Sequence, residues 1–152
     1  MAPMGPELIQ KAGREVLETT AGANVVRSGT CAPPDGHFAG VMATVSLSGD
    51  RGGTLVIFCD RALAAGVTNA MLGMDGDDPG DETIVDAMGE LANQVGGTLK
   101  RALGADGSDM MLSVPVVAAS ASISHHVKAT ATPTCVEIEL PEGVVRICLW
   151  PG

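Results

Sequence analysis

The stretch DAMGELANQVGGTLKRAL, residues 86–103, decides how this chain is read. Around a helix of about 100° per residue, Ile84, Met88, Leu91, Val95, Leu99 and Ala102 fall on one side. Asp86, Glu90, Asn93 and Gly97 fall on the opposite side, with Lys100 and Arg101 flanking the lower end. Such a stripe has to be covered by another layer of structure. Glu90 and Asn93 are then expected to be exposed, one turn apart, on a helix whose other face is locked into a core. Two adjacent glycines follow, although each is about 1 kcal/mol worse than alanine in a helix interior. Gly97 lies in the exposed stripe, where a missing side chain lets another surface approach the backbone. Gly96 lies at the border, where it admits close packing of a neighbouring element.

Working outward, RALAAGVTNAMLG (61–73) reads as a short helix closed by Gly73. The acidic loop MDGDDPGD (74–81) leads from it to the long helix, with Asp81 as the expected N-cap. Upstream, VMATVSLSG (41–49) alternates, with Val41, Ala43, Val45 and Leu47 on one face and Met42, Thr44 and Ser46 on the other. SGDRGG is a turn and TLVIFCD (54–60) is the return strand of a hairpin. Residues 6–21 form a first helix with Pro6 at its start and a stripe of Leu8, Ala12, Val16 and Leu17. Residues 22–40 read as a connection broken by Pro33, Pro34 and several glycines. After the long helix, GADGSD is a loop. MLSVPVVAAS (111–120) is a strand that Pro115 confines to an edge or a bulge. CVEIEL-PEG-VVRICLW (135–150) is a hairpin with Val136, Ile138 and Leu140 inward and Glu137 and Glu139 outward. The order is α-β-β-α-α-β-β-β, an α+β class in which helices cover one face of a mostly antiparallel sheet.

The 152 residues and 45% apolar content fit one domain, residues 1–152, with an aliphatic core, since the only aromatics are Phe38, Phe58 and Trp150. A net charge of −9 repels phosphate backbones and disfavours nucleic-acid binding. No basic amphipathic helix offers itself to a membrane surface, and no apolar run approaches a membrane span. With no signal-like N-terminus, the expected place is the cytoplasm. Cys31, Cys59, Cys135 and Cys148 form no CxxC pair, and the histidines lie at no ligand spacing from them, so no metal of its own is expected. Cys59, Cys135 and Cys148 look like small core residues. His125-His126 reads as surface. DGDDPGDE (75–82) lacks EF-hand spacing and reads as a solvated loop. No glycine-rich turn joins a strand directly to a helix, so a dinucleotide fold is not supported, and SGDRGG is only a turn.

Across residues 62–103 the chain resembles the CheX-like branch of the CheC/CheX/FliY chemotaxis phosphatase family. The likeness rests on a short helix ending MLG, an acidic loop, and a helix carrying Glu-x-x-Asn, here Glu90-Leu91-Ala92-Asn93, followed by glycine. The remaining elements fit the family's order. A second signature is absent, since the first helix reads ELIQ from Glu7 and EVLE from Glu15; this matches the one-site CheX type, which pairs as a homodimer through sheet edges. The resemblance implies removal of the aspartyl phosphate from a CheY-like receiver domain. Asn93 orients the attacking water, Glu90 pairs with the receiver's active-site lysine, and Asp86 and Gly97 belong to the docking face. Mg²⁺ belongs to the receiver.

The residue types suit that chemistry. Phosphoryl transfer rests on positioning and charge stabilisation. A neutral amide can donate to and accept from water without repelling an anionic phosphoryl group. A carboxylate ionised at neutral pH is a weak general base and a good fixed anion for a lysine. Two rivals stay open: a non-catalytic dimeric module that binds a receiver, and an oligomeric domain whose acid–amide pair is only surface.

Overall fold

The computed structural model describes residues 4–34, 36–124 and 132–152. The elements run α1 (Pro6–Ala21), β1 (Arg27–Thr30), β2 (His37–Leu47), β3 (Gly53–Cys59), α2 (Arg61–Leu72), α3 (Asp81–Leu103), a 3-10 turn (Gly104–Gly107), β4 (Val116–Ser124), β5 (Thr134–Leu140) and β6 (Gly143–Pro151). The six strands form one sheet in the order β1-β5-β6-β3-β2-β4, antiparallel at every pairing. The helices pack on one of its faces, so the α+β expectation holds, with one strand added.

That added strand is β1, which lies inside the stretch read as a connection. Its four residues carry no alternation that periodicity could detect. Partners far along the chain create it: Arg27 to Thr30 register against Glu139 to Val136, and Arg27 pairs with the Glu139 carboxylate. Backbone bonds from Val26 N to Glu139 O (2.8 Å) and from Cys31 N to Cys135 O (3.0 Å) extend the pairing at both ends.

The helix-facing side of the sheet is the aliphatic core. Val41, Ala43, Val45 and Leu47 of β2 are buried there, as the alternation predicts, together with Leu55 and Ile57 of β3 and Val136, Ile138 and Leu140 of β5. Each fully buried Val, Leu or Ile side chain among them contributes about 1.5–3 kcal/mol relative to exposure. The far face carries a smaller cluster. Val56, Phe58, Cys135 and Cys148 are buried there, packed with Cys31, Phe38, Met42 and Trp150. Phe38 and Phe58 meet edge-on with ring centroids 5.3 Å apart. β3 is therefore buried on both faces, as suits a strand flanked by β6 and β2.

Pro115 stands just before β4, and β4 is an edge strand. The run around it follows β2 in two pieces. Ser48 N donates to Met111 O and Ser113 N to Ser46 O, each at 2.9 Å, before the regular pairing begins at Val116. A bulge between Phe38 and Gly40 bends β2 against β4. Gly40 has φ +136, and a Cβ there would stand 2.4 Å from Cys59 O, so only glycine fits.

α2 is capped as short helices require. The Asp60 carboxylate accepts from Leu63 N at 2.7 Å, and Gly73 ends the helix in the left-handed conformation. The expected N-cap of α3 is corrected. Gly80 holds the cap position, and Asp81 is the first helical residue. The Asp81 carboxylate instead accepts from Arg61 Nε at 2.8 Å. Asp78 receives the other side of the same guanidinium, at 2.6 and 3.1 Å, and also accepts from Gly80 N. The loop read as merely solvated is thus clamped onto the start of α2. His125 and His126 lie outside the described residues.

Candidate functional site

α3 runs over β2 and β4, with α1 alongside. Ile84, Met88, Leu91, Val95 and Leu99 are buried, as periodicity requires, and Ala92 joins them. Ala102, expected in the stripe, is exposed at the end of the helix. The two glycines differ as their faces do. A Cβ on Gly96 would stand 2.9 Å from Leu112 Cδ2 and 3.3 Å from Leu47 Cδ2, so this glycine lets the helix settle onto the sheet. A Cβ on Gly97 would meet only Arg101 Nη1, at an ordinary 3.6 Å. The fold itself does not require Gly97 to lack a side chain.

Gly97 lies on the floor of a groove between α1 and α3. Its walls are Glu15 and Thr19 of α1, and Glu90, Asn93, Gln94 and Arg101 of α3, around a volume of about 490 Å³. Glu90 is exposed, as expected. Asn93 is half-buried rather than exposed, because α1 rises beside it and contributes Val16 and Thr19 to the same groove. Partial burial holds an amide in fewer orientations, which suits positioning more than free exposure does. Among the described residues no hydrogen-bond partner occupies the Asn93 carboxamide. Asp86 is exposed on the same side of the helix but lies beyond the groove lining. The structure thus gathers Glu90, Asn93 and Gly97 and leaves Asp86 apart.

The α1 residues and Gln94 were not singled out from the sequence. Two signals pointed to them. Glu15 and Thr19 are four residues apart on the polar side of α1, and Gln94 follows Glu90 by four. That they face one another depends on how the two helices pack.

Nucleophilic cysteine chemistry has no place in this groove. All four cysteines are free. Burial, with the neighbouring Asp60 carboxylate, pushes the Cys59 thiol up to about 12. Cys135 and Cys148 sit opposite each other on β5 and β6 and share a hydrogen bond, which together with burial pushes Cys148 far up. Among the described residues no group of three or more His, Cys, Asp or Glu side chains could hold a metal ion. Among the described residues no helix is long and apolar enough to cross a membrane.

The helix-covered antiparallel sheet that carries this groove is an architecture that known proteins share. The chemotaxis protein CheX from Desulfovibrio desulfuricans superposes with a TM-score of 0.77 at 24% identity, over 96% of this chain and 97% of its own. CheX from Vibrio vulnificus gives 0.78 at 23% identity, over 95% and 93%. A CheX in a CheX–CheY–BeF3–Mg²⁺ complex from Borrelia burgdorferi gives 0.77 at 20% identity, over 98% of each chain. These likenesses establish the fold. No curated protein sequence matches the chain. The family model described as chemotaxis phosphatase CheX matches residues 41–139, well over half of the sequence, and the chain belongs to that family.

Proposed function

We propose that this protein hydrolyses the aspartyl phosphate of a CheY-like receiver domain, with the α1–α3 groove docked over the receiver's active site. The observation that carries the reading is the groove itself, in which Glu90 and Asn93 project from one rigid helix beside the unobstructed Gly97. Asn93 orients the water that attacks phosphorus. Its carboxamide can bond water without adding negative charge next to an anionic phosphoryl group. Glu90 pairs with a lysine of the receiver and fixes the docking register. Gly97 lets the receiver's backbone approach α3, and Asp86 meets it at the rim. The Mg²⁺ is the receiver's own. The Borrelia complex supports this reading, since a relative of the same fold was solved with CheY, BeF3 and Mg²⁺.

A homodimer through a sheet edge is part of the same proposal. β4 is one of the two edge strands; Val116 at its start is 70% exposed and Val114, two residues before it, is 83% exposed. An apolar edge left open invites strand pairing.

The test follows phosphate loss from purified phospho-receivers of the same organism, alone, with this protein, and with Asn93→Ala. Faster decay of one receiver, abolished by the variant, is the expected result. Tight binding without faster decay would favour the non-catalytic receiver-binding module instead.

A further inference from the structure

Glu90 is exposed, and an exposed glutamate ordinarily samples several rotamers. Here it has a partner. Gln94 Nε2 donates to Glu90 Oε1 at 3.1 Å, one helical turn away. Gln94 is itself held, since its Oε1 accepts from Thr20 Oγ1 at the end of α1. The two bonds fix the sense of the amide: its oxygen meets the threonine hydroxyl and its nitrogen meets the carboxylate. The Thr20–Gln94 bond is partly buried, so this anchor meets less competition from water than a bond between two surface side chains, while the Gln94–Glu90 bond lies at the surface. This bond engages only one carboxylate oxygen of Glu90, leaving Oε2 to reach a cation on a docked partner.

From this chain of bonds we infer that Gln94 is a positioning residue, which holds the Glu90 carboxylate in one orientation and anchors it on α1 through Thr20. The inference rests on the proposed phosphatase reading for what Glu90 grips, but not for the link itself. A neutral amide suits the position: it donates to the carboxylate without neutralising it, so Glu90 keeps its full charge for the receiver's lysine. A lysine at position 94 would compete for that charge, and a glutamate would repel it. The link also makes the receiver-facing carboxylate depend on the register between α1 and α3.

The experiment uses the full chain with Gln94→Met, which keeps the bulk without the amide, Thr20→Val, which keeps the shape without the hydroxyl, and Thr20→Ser, which keeps the hydroxyl. Two quantities are read: KM and kcat for dephosphorylation of the receiver, and the order of the Glu90 side chain by ¹³C relaxation in the protein alone. Gln94→Met is expected to raise KM about tenfold, the worth of one hydrogen bond to a charged group, and Thr20→Val, which removes only the neutral anchor of that amide, to raise it by less, with kcat changed far less in both. Both should lower Glu90 order, and Thr20→Ser should retain wild-type values. In a Glu90→Ala background, Gln94→Met should leave KM unchanged. Unchanged Glu90 order in both variants overturns the inference. So does an equal rise of KM without Glu90, which marks Gln94 as mere packing between the helices. If the wild-type protein accelerates no receiver, the phosphatase reading falls, and the relaxation measurement alone still decides whether Gln94 and Thr20 hold Glu90.

Discussion

The two faces of α3 use the same residue type for opposite purposes. On the inner face, Gly96 is pressed against Leu112 and Leu47, and space is the limiting quantity. On the outer face, Gly97 has room to spare. Neighbours in sequence thus differ because one looks into the sheet and the other into the open groove beside α1. Close packing makes the inner face answer to volume. On the function proposed above, the outer face answers to the chemistry of a partner, and a substitution there would leave the fold intact while removing function.

This contrast can be broken by experiment. The largest effect is expected from Asn93→Ala, which should slow receiver dephosphorylation about a hundredfold, the scale of losing a positioned reactant, while Tm stays near the wild-type value. A variant that loses activity only by unfolding would erase the distinction between the faces. Next comes Gly96→Val. Its branched side chain cannot be absorbed by a small shift of Leu112, and overpacking should cost about 1–3 kcal/mol, read as a lower midpoint in urea. The surviving folded fraction should hydrolyse phosphate at the normal rate.

Gly97→Ala sharpens the comparison because it moves two quantities in opposite directions. Helix propensity should add up to about 1 kcal/mol of stability, while the added methyl should weaken receiver binding. A variant both more stable and fully active would remove Gly97 from the docking face. The smallest effect concerns neither face. The Arg61 guanidinium, followed by the bond from Gly80 N, holds the Asp78 carboxyl down at about 2, below its ordinary 3.8. A depressed folded-state value means that the clamp's contribution is fully present above about pH 4 and is lost as the pH falls toward about 2. Amide exchange in residues 75–80 should therefore be constant from neutral pH down to about pH 4, after allowance for intrinsic exchange, and rise as the pH falls from there toward about 2. Asp78→Asn should show the faster exchange already at pH 7.

How far the site was legible follows from what periodicity can report. It placed Glu90, Asn93 and Gly97 on one side of a helix and Ile84, Met88, Leu91, Val95 and Leu99 on the other. It overstated the exposure of Asn93, since nothing in residues 81–103 says that α1 will stand beside them. The Asp81 cap failed for a related reason. An aspartate before an apolar run is a sound local choice, but the cation of Arg61, twenty residues earlier, offered its carboxylate a stronger partner.

The sequence by itself determined the three helices, the alternation of β2 and of the β5–β6 hairpin, the closing glycine of α2, and the side of α3 that carries the acid–amide pair. All of these are written in spacings within a few residues, where backbone geometry alone decides which side chains share a face. Only the tertiary structure decided that four residues at Arg27–Thr30 become a strand, that β3 is buried on both faces, and that α1 turns a bare helix surface into a groove. It also brought Thr20 to Gln94 and thereby gave Glu90 a fixed neighbour. Those outcomes depend on pairing between segments distant in the chain, and such pairing is settled by the shape and burial of the whole molecule.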